Sequence, residues 1–411
     1  MPGTATMTTS IPEAPVLRLR TKSDAPRKQP AHDLYQPLPH PDSIRLLEIH
    51  PGPHSAPLTC HLVLSRLNPS TPAPSYEAIS YVWGSVSARA SLHCNAHALS
   101  VTQNLGDALK RFRLPTAPRV VWVDGLCINQ ADDREKGHQV KRMRLIYKRA
   151  ARVLVWLGHP PDAAMPRKAF NAICALANQR QPRDGAAAVT WRAADDEDGD
   201  DEDGDDNDDS TEPSSSLLPQ PPPSPSTSTQ HDRTPTARRG AHACRHAALA
   251  PFYGLPWFRR TWVIQEIALA RSATLHWGGC GGGGASIAWP AVARATDRII
   301  ERKARLAPLH ALPGVENAHL MGSLWWAERA AAATTTKADA RMSFAELFVK
   351  TSKLFLVSDP RDKVYGLLGI PTRDADPDEG VLYLEPDYEV GVVGLYVRLF
   401  QRHGVRMEEL R

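Results

Sequence analysis

Apolar and polar positions alternate along Ser43–Ile49, and again from Leu58 to Leu64, which predicts two strands with one face turned inward. The pattern then changes. Tyr76-Glu77-Ala78-Ile79-Ser80-Tyr81-Val82-Trp83-Gly84, Val120-Val121-Trp122-Val123 and Val153-Leu154-Val155-Trp156-Leu157-Gly158 are nearly continuous apolar runs. Such runs read as strands buried on both faces, as in a parallel sheet with helices on each side. Between them the period is helical. Leu105, Ala108, Leu109 and Phe112 line one face over Asn104–Phe112, with Asn104 as the expected N-cap. Val140, Met143, Ile146, Tyr147 and Ala150 stripe a longer helix ending near Ala151. Asp132 and Glu135 at its start have capping-box spacing. Strand, helix, strand at this spacing is a βαβ unit with a right-handed crossover.

The same signals resume after a long gap. Thr261 to Arg271 reads as a helix with Trp262, Val263, Ile267, Leu269 and Ala270 largely inward, and Ala273 to Trp277 as a short strand. Six of the seven residues Gly278–Gly284 are glycine, without the Gly-Lys-Ser/Thr of a phosphate loop, so the stretch reads as a flexible connection. Trp289–Ala307 and Ser343–Lys353 are expected helices, and Asp359–Gly369 a capped turn leading into a short apolar helix.

Composition divides the chain. Twelve of the fifteen residues from Asp195 to Asp209 are acidic, and a Pro/Ser/Thr tract follows from Ser214 to Pro235. Like charges repel and nothing here can be buried, so a disordered insertion is expected over 178–248. Residues 1–38 are expected to be a disordered arm, with an Arg/Thr-rich, acid-poor start that shares the composition of a mitochondrial leader. The folded halves then span 39–177 and 249–285, with a mainly helical extension over 286–411. Setting the twelve acids aside leaves 49 basic against 33 acidic residues, so the folded part is basic although the chain as a whole is only +4. That charge suits an anionic ligand, an acidic partner, the acidic insertion itself or simple solvation. No nucleic-acid-binding motif accompanies it. No apolar run is long enough to span a membrane. The six cysteines form no C-x-x-C pair and read as free thiols in a reducing compartment, so the expected location is the cytoplasm. His242, Cys244 and His246 are close enough to consider zinc, but lie in low-complexity sequence.

Few residues carry candidate chemistry. The run through Val123 stops on Asp124, followed by Asn129 and Gln130, where a site beyond the carboxyl ends of strands is expected; Asp124 either serves that site or caps the turn. Glu266 sits among Trp262, Val263, Ile267 and Ala270. It is either a desolvated acid with a raised pKa, oriented or balanced by Gln265, Arg259 and Arg260, or one half of a salt bridge to a nearby arginine. Cys127 has no histidine base close in sequence and reads as a structural thiol. Ser80 lies in no nucleophile elbow.

Four ordered blocks together resemble the fungal heterokaryon incompatibility (HET) domain: Tyr76–Gly84; Trp122–Gln130 with Arg134-Glu135, Gln139-Val140, Met143 and Ile146-Tyr147; Val155–Gly158; and Trp257–Glu266. Asp359–Gly369 is similar to a motif that often follows the domain. The resemblance implies fungal non-self recognition and programmed cell death. It also implies a distant likeness to Toll/interleukin-1 receptor (TIR) domains. The implied fold is α/β, a TIR/flavodoxin-like three-layer sandwich with a parallel central sheet, interrupted by the acidic insertion and followed by C-terminal helices. Several TIR domains cleave NAD with one helical glutamate. Carried over, Glu266 is the catalytic residue, NAD the substrate with no resident cofactor or metal, and Ser80, Tyr81, Trp83, Gly84, Asp124, Asn129, Gln130, Arg260 and Trp262 the nucleotide-binding set. Trp83 and Trp262 either stack on a ring of the nucleotide or pack in the core. The implied partners are a second copy of the chain and an unidentified incompatibility protein. The alternative is a non-enzymatic module that self-assembles and recruits a partner, with Glu266 structural. A remnant without toxicity is the third reading.

Overall fold

The computed structural model describes residues 34–68, 74–179, 189–193, 247–279, 284–302, 306–333 and 341–402. Within the compact unit that begins at Pro37, ten strands form one sheet. In chain order they are β1 (Ser43–Ile49), β2 (Leu58–Arg66), β3 (Glu77–Tyr81), β4 (Arg89–Cys94), β5 (His97–Thr102), β6 (Arg119–Trp122), β7 (Val153–Trp156), β8 (Trp191–Ala193), β9 (Ala273–Trp277) and β10 (Ala285–Ala288). Their spatial order is β5-β4-β2-β1-β6-β3-β7-β9-β10-β8.

The expected parallel sheet is therefore mixed. The four inner strands β6, β3, β7 and β9 run parallel, and the first three of these are the strands written as continuous apolar runs. The flanks are antiparallel where strands adjacent in sequence pair, as in β1–β2, β4–β5 and β9–β10. A turn returns the chain alongside itself, whereas a parallel neighbour needs a crossover. In chain order the inner strands are arranged second, first, third, fourth. Strand order thus reverses between β3 and β7, and the carboxyl ends of those two strands border the reversal.

Helices cover both faces. Successive residues of β9 show this directly: the His276 ring meets Phe112 of α1 (Gln103–Phe112), while Trp277 packs against Phe170 of α4 (Met165–Ala177). The single turn α2 (Asp124–Cys127) follows β6 immediately. Helix α3 (Asp133–Arg149) links β6 to β7, its Tyr147 set edge-on to Trp122 and its Asp132 cap accepting from the backbone of Arg134 and Glu135. No capping box forms there. The Glu135 carboxylate instead holds Arg45 of β1 at 2.6 and 3.1 Å and accepts the Asn129 N–H at 2.7 Å. A buried guanidinium is a stronger partner than the cap backbone.

The second half adds α5 (Leu249–Tyr253), α6 (Val263–Ala268), α7 (Trp289–Glu301), α8 (Ala307–His310), α9 (Pro313–Ala333), α10 (Phe344–Leu354), α11 (Asp362–Tyr365) and α12 (Val392–Arg402). Helix α6 is far shorter than the expected Thr261–Arg271, because the Thr261 N–H is taken by Leu356 O and the last turn closes from Ala270 to Ile267. The span expected from Trp289 to Ala307 is broken after Glu301. Helix α10 begins where expected, with Ser343 and Glu346 forming a capping box. The β4–β5 hairpin, α4, α9 and α12 have no counterpart in the sequence reading. Strand β8 falls inside the span expected to be a disordered insertion: Trp191–Ala193 pairs with β10 at the sheet edge, and β10 itself extends the sheet into the expected helical extension. The acidic run, the Pro/Ser/Thr tract, the His242–His246 cluster and residues 1–33 lie outside the described residues, as do residues 280–283 of the glycine-rich stretch. No described helix is long and apolar enough to cross a membrane. Described cysteines Cys60, Cys94, Cys127 and Cys174 are free thiols.

Candidate functional site

Glu266 and Ser80 are 186 residues apart and share a hydrogen bond. Strand β3 places Ser80 near its carboxyl end, in register with Val155 of β7, and the Ser80 hydroxyl donates to Glu266 Oε2. Trp257 Nε1 donates to the same hydroxyl oxygen at 2.8 Å. Tyr147 approaches from α3, its hydroxyl donating to Ile79 O at 3.3 Å. Glu266 is 3% exposed. Burial raises its pKa to about 7; the Arg260 charge and the Ser80 bond oppose the shift, and Asp124 adds to it. No ion pair to Glu266 exists among the described residues, so the salt-bridge alternative is not what the chain adopts. Arg260 acts on the carboxylate through space while its backbone bridges to Leu356. A desolvated acid held by a neutral hydroxyl keeps its proton to near-neutral pH.

Helix α6 has six residues, too few to persist alone. The C-terminal segment fixes it. Trp262 Nε1 donates to Asp362 Oδ2 at 3.1 Å, and the Tyr388 hydroxyl donates to the other oxygen of Asp362 at 2.6 Å. Trp262 is thus half-buried and tied to α11 rather than to the rim. Gln265 packs so closely against Gly369 that a side chain there would run into it.

Around the reversal of strand order, Asn104 performs the joining. Its amide donates to Val82 O at 2.5 Å, and its oxygen accepts Trp156 Nε1 at 2.9 Å. It therefore links the chain leaving β3 to the end of β7. The helix cap expected of Asn104 is supplied by Thr102, which accepts the Leu105 N–H. Gly84 after β3 and Gly158 after β7 adopt φ of +74° and +88°, and both turn against Asn104. Left-handed backbone at each strand end lets the two exits bend away beside one side chain. Sequence reasoning gave Asn104 a helix cap and missed this bridging role. The glycine shortly after each of two apolar runs was the signal available.

The rest of the predicted set divides. Trp83 is 41% exposed and donates to Asp124 Oδ2 at 2.9 Å. The buried Tyr81 hydroxyl is pushed well above its usual range by burial and then by Asp124. Trp83, Tyr81 and Asp124 thus line the rim next to Glu266, whose titration Asp124 also influences. Asn129 and Gln130 turn inward: Gln130 Nε2 donates to Asp124 O at 2.8 Å, and Asn129 Oδ1 accepts the Ala131 N–H. They shape the turn after β6. Cys127 is buried, with its thiol pushed up to about 12 mainly by burial, consistent with a structural role. An open groove lined by Asp162, Met165, Lys168, Asn171 and Pro251 lies away from all of these residues and holds no comparable buried acid.

Residues 76–266 match the family model described as heterokaryon incompatibility protein (HET). That span opens just before β3 and closes on Glu266, so it contains both partners of the buried bond. Among curated proteins, the chain is 35% identical over 133 residues to heterokaryon incompatibility protein 6, OR allele, of Neurospora crassa, covering 29% of this chain and 19% of that protein. The chain thus spans about a fifth of the length of the curated relative it matches. No solved structure matches the chain. Residues 76–266, just under half of the chain, thus carry a heterokaryon incompatibility (HET) domain.

Proposed function

We propose that this chain acts in fungal incompatibility as a cell-death effector, and that its HET domain cleaves NAD at the nicotinamide–ribose bond with Glu266 as the catalytic residue. The observation that carries this reading is a single buried carboxylate, pKa about 7, at the carboxyl edge of an inner parallel sheet. The order second, first, third, fourth is that of flavodoxin-like folds, whose ligands bind where strand order reverses. It supports a TIR-like architecture for the inner four strands. In the reaction, the C1′–N bond breaks and its electron pair returns to the nicotinamide nitrogen, which leaves neutral. Positive charge develops on the ribose and is quenched by water, which loses a proton. Ionised Glu266 would hold the ribose hydroxyls and stabilise that charge. Ser80 fixes the carboxylate, Trp83 offers an exposed ring for stacking, and Arg260 with the wider basic surface suits a pyrophosphate. A second copy of the chain and an incompatibility protein are its proposed partners.

Purified full chain should release nicotinamide from NAD, and Glu266→Gln should lose that release by on the order of 10³-fold with the fold intact. Unchanged turnover in Glu266→Gln rules out the assignment. A second reading, a non-enzymatic assembly module, is favoured by the enclosure of Glu266, which leaves the acid as a pin between β3 and α6. There toxicity in fungal cells would survive Glu266→Gln while NAD stays constant.

A further inference from the structure

Away from Glu266, the outer face of β1 and β2 carries a second group of chemistry-bearing residues. Glu48 of β1 and His61 of β2 are direct register partners in the antiparallel ladder. His50 lies two residues beyond Glu48, so strand alternation returns it to the same face. Its backbone is fixed there, with the His50 N–H donating to Thr59 O at 3.0 Å. One ligand atom from each of the three side chains lies within 4.8 Å of the others. The two rings face each other with His50 Nε2 2.8 Å from His61 Nδ1. Glu48 and His50 are half-buried and His61 is exposed. Glu48 has no basic ion-pair partner among the described residues.

We infer that Glu48, His50 and His61 form a binding site for a divalent transition-metal ion of the zinc class. Two imidazole nitrogens and one carboxylate oxygen are a donor set that zinc takes with a fourth position left to water. Such an ion with N–metal bonds of ~2.1 Å needs its two nitrogens ~3.3 Å apart. The rings must separate by about half an ångström from their present contact, and the exposed His61 is free to do so. The hydrogen now shared between the rings moves to the outer nitrogen of its own ring, leaving both facing nitrogens as lone-pair donors. The sheet does the preorganising: Glu48 lies in β1, which is paired on both sides, and His50 follows just past the strand end with its backbone N–H held by Thr59 O. This site is independent of the nucleotide chemistry proposed for Glu266.

The test is zinc-ion titration of the full chain, prepared without a polyhistidine tag, followed by calorimetry and by cobalt substitution. One equivalent of zinc should bind at this site, and the cobalt form should show visible d–d absorption of low symmetry. His50→Ala, His61→Ala and Glu48→Gln should each weaken binding by about tenfold or more. Unchanged far-UV circular dichroism verifies that each variant folds. His242→Ala should leave this equivalent in place. Zinc affinity equal in the wild type and in the His50→Ala/His61→Ala double variant overturns the assignment, as does loss of the equivalent in His242→Ala alone.

Discussion

Strand β3 meets a carboxylate at each end, and the two are held in opposite ways. At its amino end, Glu77 accepts hydrogen bonds from Arg119 and Arg152. Burial pushes that carboxyl up, but the two guanidinium groups outweigh burial and hold it below its usual range. At its carboxyl end, Glu266 receives one hydroxyl and no direct cation, and burial prevails. Both acids are desolvated. What separates a lock from a titratable group is the charge of the partner, not the depth of burial. The difference also follows the architecture, because ligand sites in open α/β sheets lie beyond carboxyl ends.

The sharpest way to break the contrast is catalysis. Glu266→Gln should lower nicotinamide release on the order of 10³-fold, whereas Glu77→Gln, measured on folded protein, should leave kcat within about threefold. Equal losses in both would mean that the two ends are not functionally distinct. Stability reverses the ranking. Glu77→Gln leaves Arg119 uncompensated and should cost about 3 kcal/mol in urea unfolding at pH 7.

The pH dependence separates the same two residues. Below pH 4.5, Glu266 is protonated in both folded and unfolded chains. Between 4.5 and about 7 the folded protein keeps a proton that the unfolded chain has released, so stability is lost as pH rises through that window. The loss amounts to about 3 kcal/mol at most, from 1.36 kcal/mol per pH unit. Glu266→Gln should remove this decline and be the more stable protein at pH 8. Glu77 behaves in the opposite sense: its stabilisation is present above 4.5 and lost as pH falls through its lowered folded value. Unfolding curves of wild type and both variants, taken from pH 9 down to the lowest pH at which the chain stays folded, test the two signs together.

Smaller effects should appear at the rim. Asn104→Ala removes the bridge between the exits of β3 and β7 and leaves the buried Trp156 N–H without its acceptor, at about 2 kcal/mol. It should also raise KM for NAD if the rim binds the nucleotide. Trp83→Phe removes a half-exposed hydrogen bond to Asp124 and should cost no more than about 1 kcal/mol of stability. An effect of Trp83→Phe larger than that of Asn104→Ala would place the organising contact at Trp83 instead.

Much of the inner fold was legible in order. The apolar runs through β3, β6 and β7, the Asp132 cap of α3 and the start of α10 at Ser343 all depend on residues within one element, and local chemistry decides them. The candidate acid was legible too, since a glutamate among tryptophan, valine and isoleucine is conspicuous. Its partner was not. Nothing near Glu266 in sequence points to Ser80, and the arginines beside it suggested a salt bridge that the fold does not make.

The sequence by itself determined an α/β chain with long apolar inner strands, a capped α3 and a long acidic run, because those properties are written in composition and short-range period; its likeness to the HET family rests on the ordered motif blocks. Tertiary structure alone decided that the sheet is mixed, that Asn104 joins two strands rather than capping a helix, that β8 belongs to the sheet, and that Glu48, His50 and His61 converge. Each of these is a choice of partner between segments tens to hundreds of residues apart. Such choices are settled by competition for buried hydrogen bonds once the chain is packed, and no local pattern carries them.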